Sequence, residues 1–102
     1  MPAPKSVEWV DSAEELLAEI LWRISCDNPI AADELNDDIL SALSMAAACP
    51  TLYRASARME GVREIVVRPN FVVAYRITTT SIEVLDVVHA RRDWPHPPLA
   101  PR

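Results

Sequence analysis

The sequence predicts an α+β domain in which a short N-terminal strand leads into an α-helical hairpin packed on an antiparallel β-sheet, in the order β-α-α-β-β-β. Three observations carry that expectation. Apolar residues recur at spacings of three and four through two consecutive stretches of the first half, the signature of helices that bury one face. Helix-breaking steps, Asp27-Asn28-Pro29 and Cys49-Pro50, close each stretch. After residue 60 the pattern changes to three apolar runs divided by short turns, and turns so short join only antiparallel neighbours.

Taken in order, Ser6-Val7-Glu8-Trp9-Val10 places apolar side chains at 7 and 9, as a half-buried strand does. Asp11, three residues ahead of Glu14, suits the N-cap of a first helix. Leu16, Leu17, Ile20, Leu21 and Ile24 form its apolar stripe, with Glu14, Glu15, Glu19 and Arg23 on the wet side. Pro29 fits the first turn of a second helix. That helix runs to about Ala48, with Leu35, Ile39, Ala42, Leu43 and Ala46 on one face and Asp33, Asp37 and Asp38 nearer the other. A polar loop bearing Arg54 and Arg58 follows. Then come a strand over 61–68, a tight turn at Pro69-Asn70, a strand over 71–77, a turn at Thr79-Thr80 and a strand over 82–88. Tyr75 shares a face with Phe71, Val73 and Ile77 and is expected in the core, and Glu64 beside Arg63 is expected to find a cross-strand charge partner.

With 102 residues, residues 1–95 are expected to make a single domain with one modest core. Four prolines in the last eight residues make 96–102 a proline-rich, flexible tail. No apolar run approaches the roughly 20 residues of a membrane span, and the Met1-Pro2-Ala3-Pro4-Lys5 start lacks the apolar stretch of a secretory signal. A cytoplasmic protein without a membrane partner is the expectation. Cys26 and Cys49 lie at opposite ends of the helical hairpin, roughly 25 Å apart by helical rise, too far for a disulfide. Neither has a second Cys or His at ligand spacing, so both read as buried, reduced thiols, with no metal and no cofactor.

The net charge of −5 conceals a division. Residues 1–52 hold two cations against ten acids, whereas residues 53–102 hold eight arginines against five acids. A partner with negative groups is thus expected to meet the second half. The acidic whole, with its single lysine, is poorly suited to direct nucleic-acid binding by phosphate attraction.

Gly61-Val62-Arg63-Glu64, Phe71-Val72-Val73-Ala74-Tyr75-Arg76-Ile77, Ile82-Glu83-Val84-Leu85-Asp86-Val87-Val88-His89, Arg91-Arg92 and Trp94-Pro95 are together similar to the closing half of ParE-type toxins. That branch of the RelE/ParE superfamily, which includes plasmid-stabilisation proteins, typically reads G-T-R-E, Y-I-V-A-Y-R-V, I-x-I-L-x-V-x-H and R-x-W-P in these places. The first half agrees in layout, including Asp27-Asn28-Pro29-Ile30-Ala31-Ala32 between the helices. The chain departs from the pattern at Tyr53-Arg54-Ala55-Ser56-Ala57-Arg58, where the family's G-R-x-G run keeps two arginines and no glycine.

The resemblance implies the toxin of a type II toxin–antitoxin pair. A ParE-like member inhibits DNA gyrase and needs no hydrolytic centre, so no catalytic residue is expected. It is neutralised by a cognate antitoxin, for this branch a ParD-like protein with a ribbon-helix-helix half. The alternative is a RelE-like ribosome-dependent mRNA endonuclease, for which His89 is the candidate acid and Arg76 and Arg63 the candidate phosphate-holding cations. A third reading is an inactive partner-binding domain of the same fold. Arg54, Arg58, Arg63, Arg76, Arg91, Arg92 and Trp94 are the candidates for antitoxin or target binding, Trp94 either pinning the tail to the sheet or anchoring an interface.

Overall fold

A computed structural model of the chain describes residues 4–67 and 70–89. Its elements are β1 (Ser6–Trp9), α1 (Asp11–Asp27), α2 (Pro29–Ala48), β2 (Arg63–Val67), β3 (Phe71–Ile77) and β4 (Ser81–His89). The order is the β-α-α-β-β-β of the sequence reading. Arg68, Pro69, Arg91, Arg92, Trp94 and the tail at 96–102 lie outside the described residues.

The sheet is mixed, in the spatial order β1-β4-β3-β2. The meander β2-β3-β4 is antiparallel, and β1 adds to its edge parallel to β4, Ser6 beside Ser81 and Trp9 beside Val84. Parallel pairing requires a long connection, which here runs through the helical hairpin and then β2 and β3, and the hairpin covers one face of the sheet. Ala13 and Leu17 of α1 and Leu35, Ile39, Leu43, Ala46 and Ala47 of α2 pack there on Ile65, Val67, Val73, Tyr75, Ile82, Val84 and Val87. A smaller cluster of Val62, Val72, Ala74, Leu85 and Val88 lies on the other face, with Met59 and Val10 against it. The strand register shifts between Ala74 and Tyr75. Leu85 is the extra residue of β4 at that bulge, so both Leu85 and Asp86 fall on the second face.

Four details correct the sequence reading. Asp11 is the first residue of α1, not its cap. The cap is Val10, whose side chain bonds nothing, because its N–H is held by the Val84 carbonyl (3.1 Å) and its own carbonyl accepts from Ala13 and Glu14 (3.0 and 3.1 Å). Sheet pairing therefore fixes where this helix begins, and Asp11 and Glu14 contribute charge at its positive end. Gly61 stands in a turn with φ of 78°, a left-handed conformation that glycine adopts freely, so β2 starts only at Arg63. Ile77, expected on the core face, ends β3 exposed. The thiols of Cys26 and Cys49 are exposed, not buried, because both residues sit at helix C-terminal ends beyond the packed stripes.

The second helix starts as its sequence requires. The Asn28 side chain accepts from the Ala31 N–H at 3.1 Å, and Pro29 occupies the first turn. Asn28→Ala is expected to cost about 1 kcal/mol, read as a lower urea midpoint with unchanged slope.

Candidate functional site

Along α1 the residues Leu16, Ile20 and Ile24 repeat every fourth position, so they stack on one side of the helix. They are partly buried and form one wall of an open groove of about 210 Å³ whose other wall is Phe71, Val87, Val88 and His89. The Phe71 and His89 rings, paired across β3 and β4, meet edge to face at 5.4 Å. Arg23 and Glu19 stand at the rim, joined by an exposed 2.6 Å ion pair, which water screens to well under about 1 kcal/mol. An apolar slot with a charged rim suits an amphipathic segment of another protein.

At the opposite end of the sheet the loop 53–60 is fastened to the start of β2. Ala55 bridges Arg63. The Ser56 N–H donates to the Val62 carbonyl (2.7 Å), and the Glu64 N–H donates to the Arg54 carbonyl (3.0 Å). Glu64 is 6% exposed and its carboxylate accepts from Arg54 (3.2 Å) and from the Ser56 hydroxyl (2.8 Å). That hydroxyl in turn accepts the N–H groups of Arg58 and Met59. The loop manages without the family's glycines because no non-glycine residue among those described has a positive φ. Glu64→Ala removes the acceptor shared by Arg54 and Ser56. It is expected to destabilise by about 1–2 kcal/mol and to speed limited tryptic cleavage after Arg54 and Arg58.

Beneath the loop, the Arg63 guanidinium donates to the Tyr53 carbonyl at 2.6 Å. The Tyr53 and Tyr75 rings meet edge to face at 6.5 Å. Tyr75 is wholly buried, as expected, and its hydroxyl donates to the Pro50 carbonyl at 2.7 Å. Burial pushes the phenol above its ordinary value near 10, with the Arg63 charge pulling it partly back and Tyr53 adding to the rise.

The candidate residues fall into separate places. Arg54, Arg58 and Arg63 gather at the loop end. Arg63 pairs with Tyr75 in register while His89 pairs with Phe71, so four strand residues, about 13 Å, separate these two along the sheet. Arg76 points to the face opposite Arg63, by strand alternation, and holds Glu83 at 2.6 Å. The three residues suggested for nuclease chemistry, His89, Arg76 and Arg63, are thus not brought to one point.

Sequence reasoning missed three features. One is the groove, which exists only once α1 lies beside β4. Another is Lys5, whose ammonium donates to the Thr78 and Thr79 carbonyls at 2.9 and 2.8 Å and ties the start of the chain to the β3–β4 turn. The last is Asp86, a fully buried acid signalled only by its place in an apolar run.

The family described as the ParE toxin of the type II toxin-antitoxin system, parDE, matches residues 7–94. A Sinorhizobium fredii protein named "Putative toxin Y4kP" is 33% identical over 92 residues, 89% of this chain and 94% of the relative. Among solved structures, a chain of the chromosomal ParDE system of P. aeruginosa superposes with a TM-score of 0.73 at 20% identity, over 85% of this chain and 97% of that one. A chain of the RelBE2 toxin–antitoxin complex of Mycobacterium tuberculosis does so with a TM-score of 0.57 at 21% identity, over 85% and 99%. The chain belongs to the ParE toxin family of type II toxin–antitoxin systems.

Proposed function

We propose that this toxin acts in the cytoplasm by inhibiting DNA gyrase, and that a ParD-like antitoxin neutralises it by laying an apolar segment in the groove between α1 and β4. The observation that carries the choice of gyrase over messenger RNA is the dispersal of His89, Arg76 and Arg63. Phosphodiester cleavage needs an acid, a base and a cation within hydrogen-bond reach of one bond. Here His89 stands by Phe71 at one end of the sheet, Arg63 holds the Tyr53 carbonyl at the other, and Arg76 is paired with Glu83 on the opposite face. A binding inhibitor needs no such assembly. The acidic net charge of −5 supports the same reading, since affinity for RNA rests on phosphate neutralisation. In the complex, acids of the antitoxin are expected to meet the exposed Arg54 and Arg58.

The test is to induce the chain without antitoxin in a bacterial host and pulse-label DNA and protein synthesis in one culture. DNA synthesis is expected to fall first, and the purified protein is expected to block supercoiling by gyrase. Protein synthesis falling first gives the endonuclease reading. If neither falls, a partner-binding domain without toxicity remains.

A further inference from the structure

Trp22 of α1 is 69% exposed, and α2 adds the exposed apolar side chains Leu40 (49%), Ile30 and Met45. Two residues separate Trp22 from Ile20 and from Ile24, a rotation of about 200°, so the indole stands on the far side of α1 from the groove. A segment seated in the groove leaves it in water. Helical spacing puts Glu15 seven residues before Trp22 on the same side of α1, and Asp33, Asp37 and Leu40 on one side of α2. All are exposed. Across residues 11–48 the helices carry nine acids and one arginine, and that arginine is engaged by Glu19. A large aromatic side chain left in water and ringed by unbalanced charge is the anatomy of an interface anchor.

We infer that the outer face of the helical hairpin, centred on Trp22 and Leu40 and flanked by Glu15, Asp33 and Asp37, is where this toxin holds its target. The fitting partner is a protein surface that is basic and carries an apolar recess of indole size. The inference rests on the reading of the chain as a target-binding toxin. The two halves of the charge division then serve different partners: the arginine-bearing loop meets an acidic antitoxin, and the acidic hairpin meets a basic target. Charge complementarity of this kind speeds encounter and weakens as salt rises.

Trp22→Arg and the double variant Asp33→Lys/Asp37→Lys change exposed side chains, so circular dichroism and antitoxin affinity should match the parent. Inhibition of purified gyrase is expected to weaken at least tenfold in each, with the parent's inhibition falling as salt rises. Variants that inhibit as well as the parent, or that lose antitoxin binding instead, overturn the inference. Failure of the parent itself to inhibit gyrase removes the gyrase reading alone. The face is then judged by a photo-crosslinking residue at position 22 in cells. A crosslink to an identified protein that is neither the antitoxin nor a second copy, abolished by the Asp33→Lys/Asp37→Lys pair, supports the inference, and a crosslink to the antitoxin, to a second copy or to nothing overturns it.

Discussion

Tyr75→Ala is expected to lower stability by about 3–5 kcal/mol, the range for deleting a large aromatic side chain from a packed core. For a small domain, whose total is about 5–15 kcal/mol, this is a large share, and urea unfolding should show it as a much lower midpoint. The ring fills the centre of the main cluster and touches Tyr53, while its hydroxyl supplies the Pro50 carbonyl just after α2. Tyr75→Phe keeps the ring and loses that bond, so about 1 kcal/mol is expected. The pair of variants separates packing from hydrogen bonding. The raised phenol also fixes a pH dependence. Below about 10 the phenol is protonated in both states and its contribution is intact. As pH rises past the ordinary value the unfolded chain loses the proton first, so stability falls with pH until the folded phenol also ionises. This alkaline loss should be smaller in Tyr75→Phe.

Leu16→Glu is expected to weaken antitoxin binding about a hundredfold, close to 2.7 kcal/mol, while leaving the toxin folded. Leu16 lines the groove beside Ile20 but is not among the residues packed into the main core. A carboxylate there faces an apolar segment with nothing to satisfy it. Calorimetric titration with the product of the neighbouring reading frame measures the affinity. Growth arrest that persists despite the antitoxin is the matching result in cells, and unchanged affinity would move the antitoxin away from this groove.

Much of the architecture was legible because local chemistry and global fold agree. Asn28-Pro29 marks the helical break through a side-chain cap and a fixed φ, and the apolar runs at 71–77 and 82–88 lie within the strands observed. Where the reading failed, a distant contact had overruled a local preference. Asp11 lost the cap because Val10 is held by Val84 across the sheet. The parallel partnership of β1 with β4 has no local signal at all. Within the candidate site, arginines could be counted but not their partners. Glu83 opposite Arg76 and Glu64 beneath Arg54 depend on register and on how a loop doubles back, neither of which residue type encodes. Leu16, Ile20 and Ile24 read as ordinary core stripe, and only the placement of α1 against β4 leaves part of that stripe open.

The pairing of β1 with β4 also dictates how the molecule must assemble. Contacts within the meander and within the helical hairpin span few residues and can form early. The bonds that join the two units close a much longer loop, Lys5 reaching Thr79 across 74 positions, and loop-closure entropy delays such contacts. The sheet is therefore expected to gain its fourth strand last, with the hairpin settling on the meander in the same step. Variants that weaken the β1–β4 seam should mainly speed unfolding, whereas variants of equal cost within the hairpin should slow refolding more.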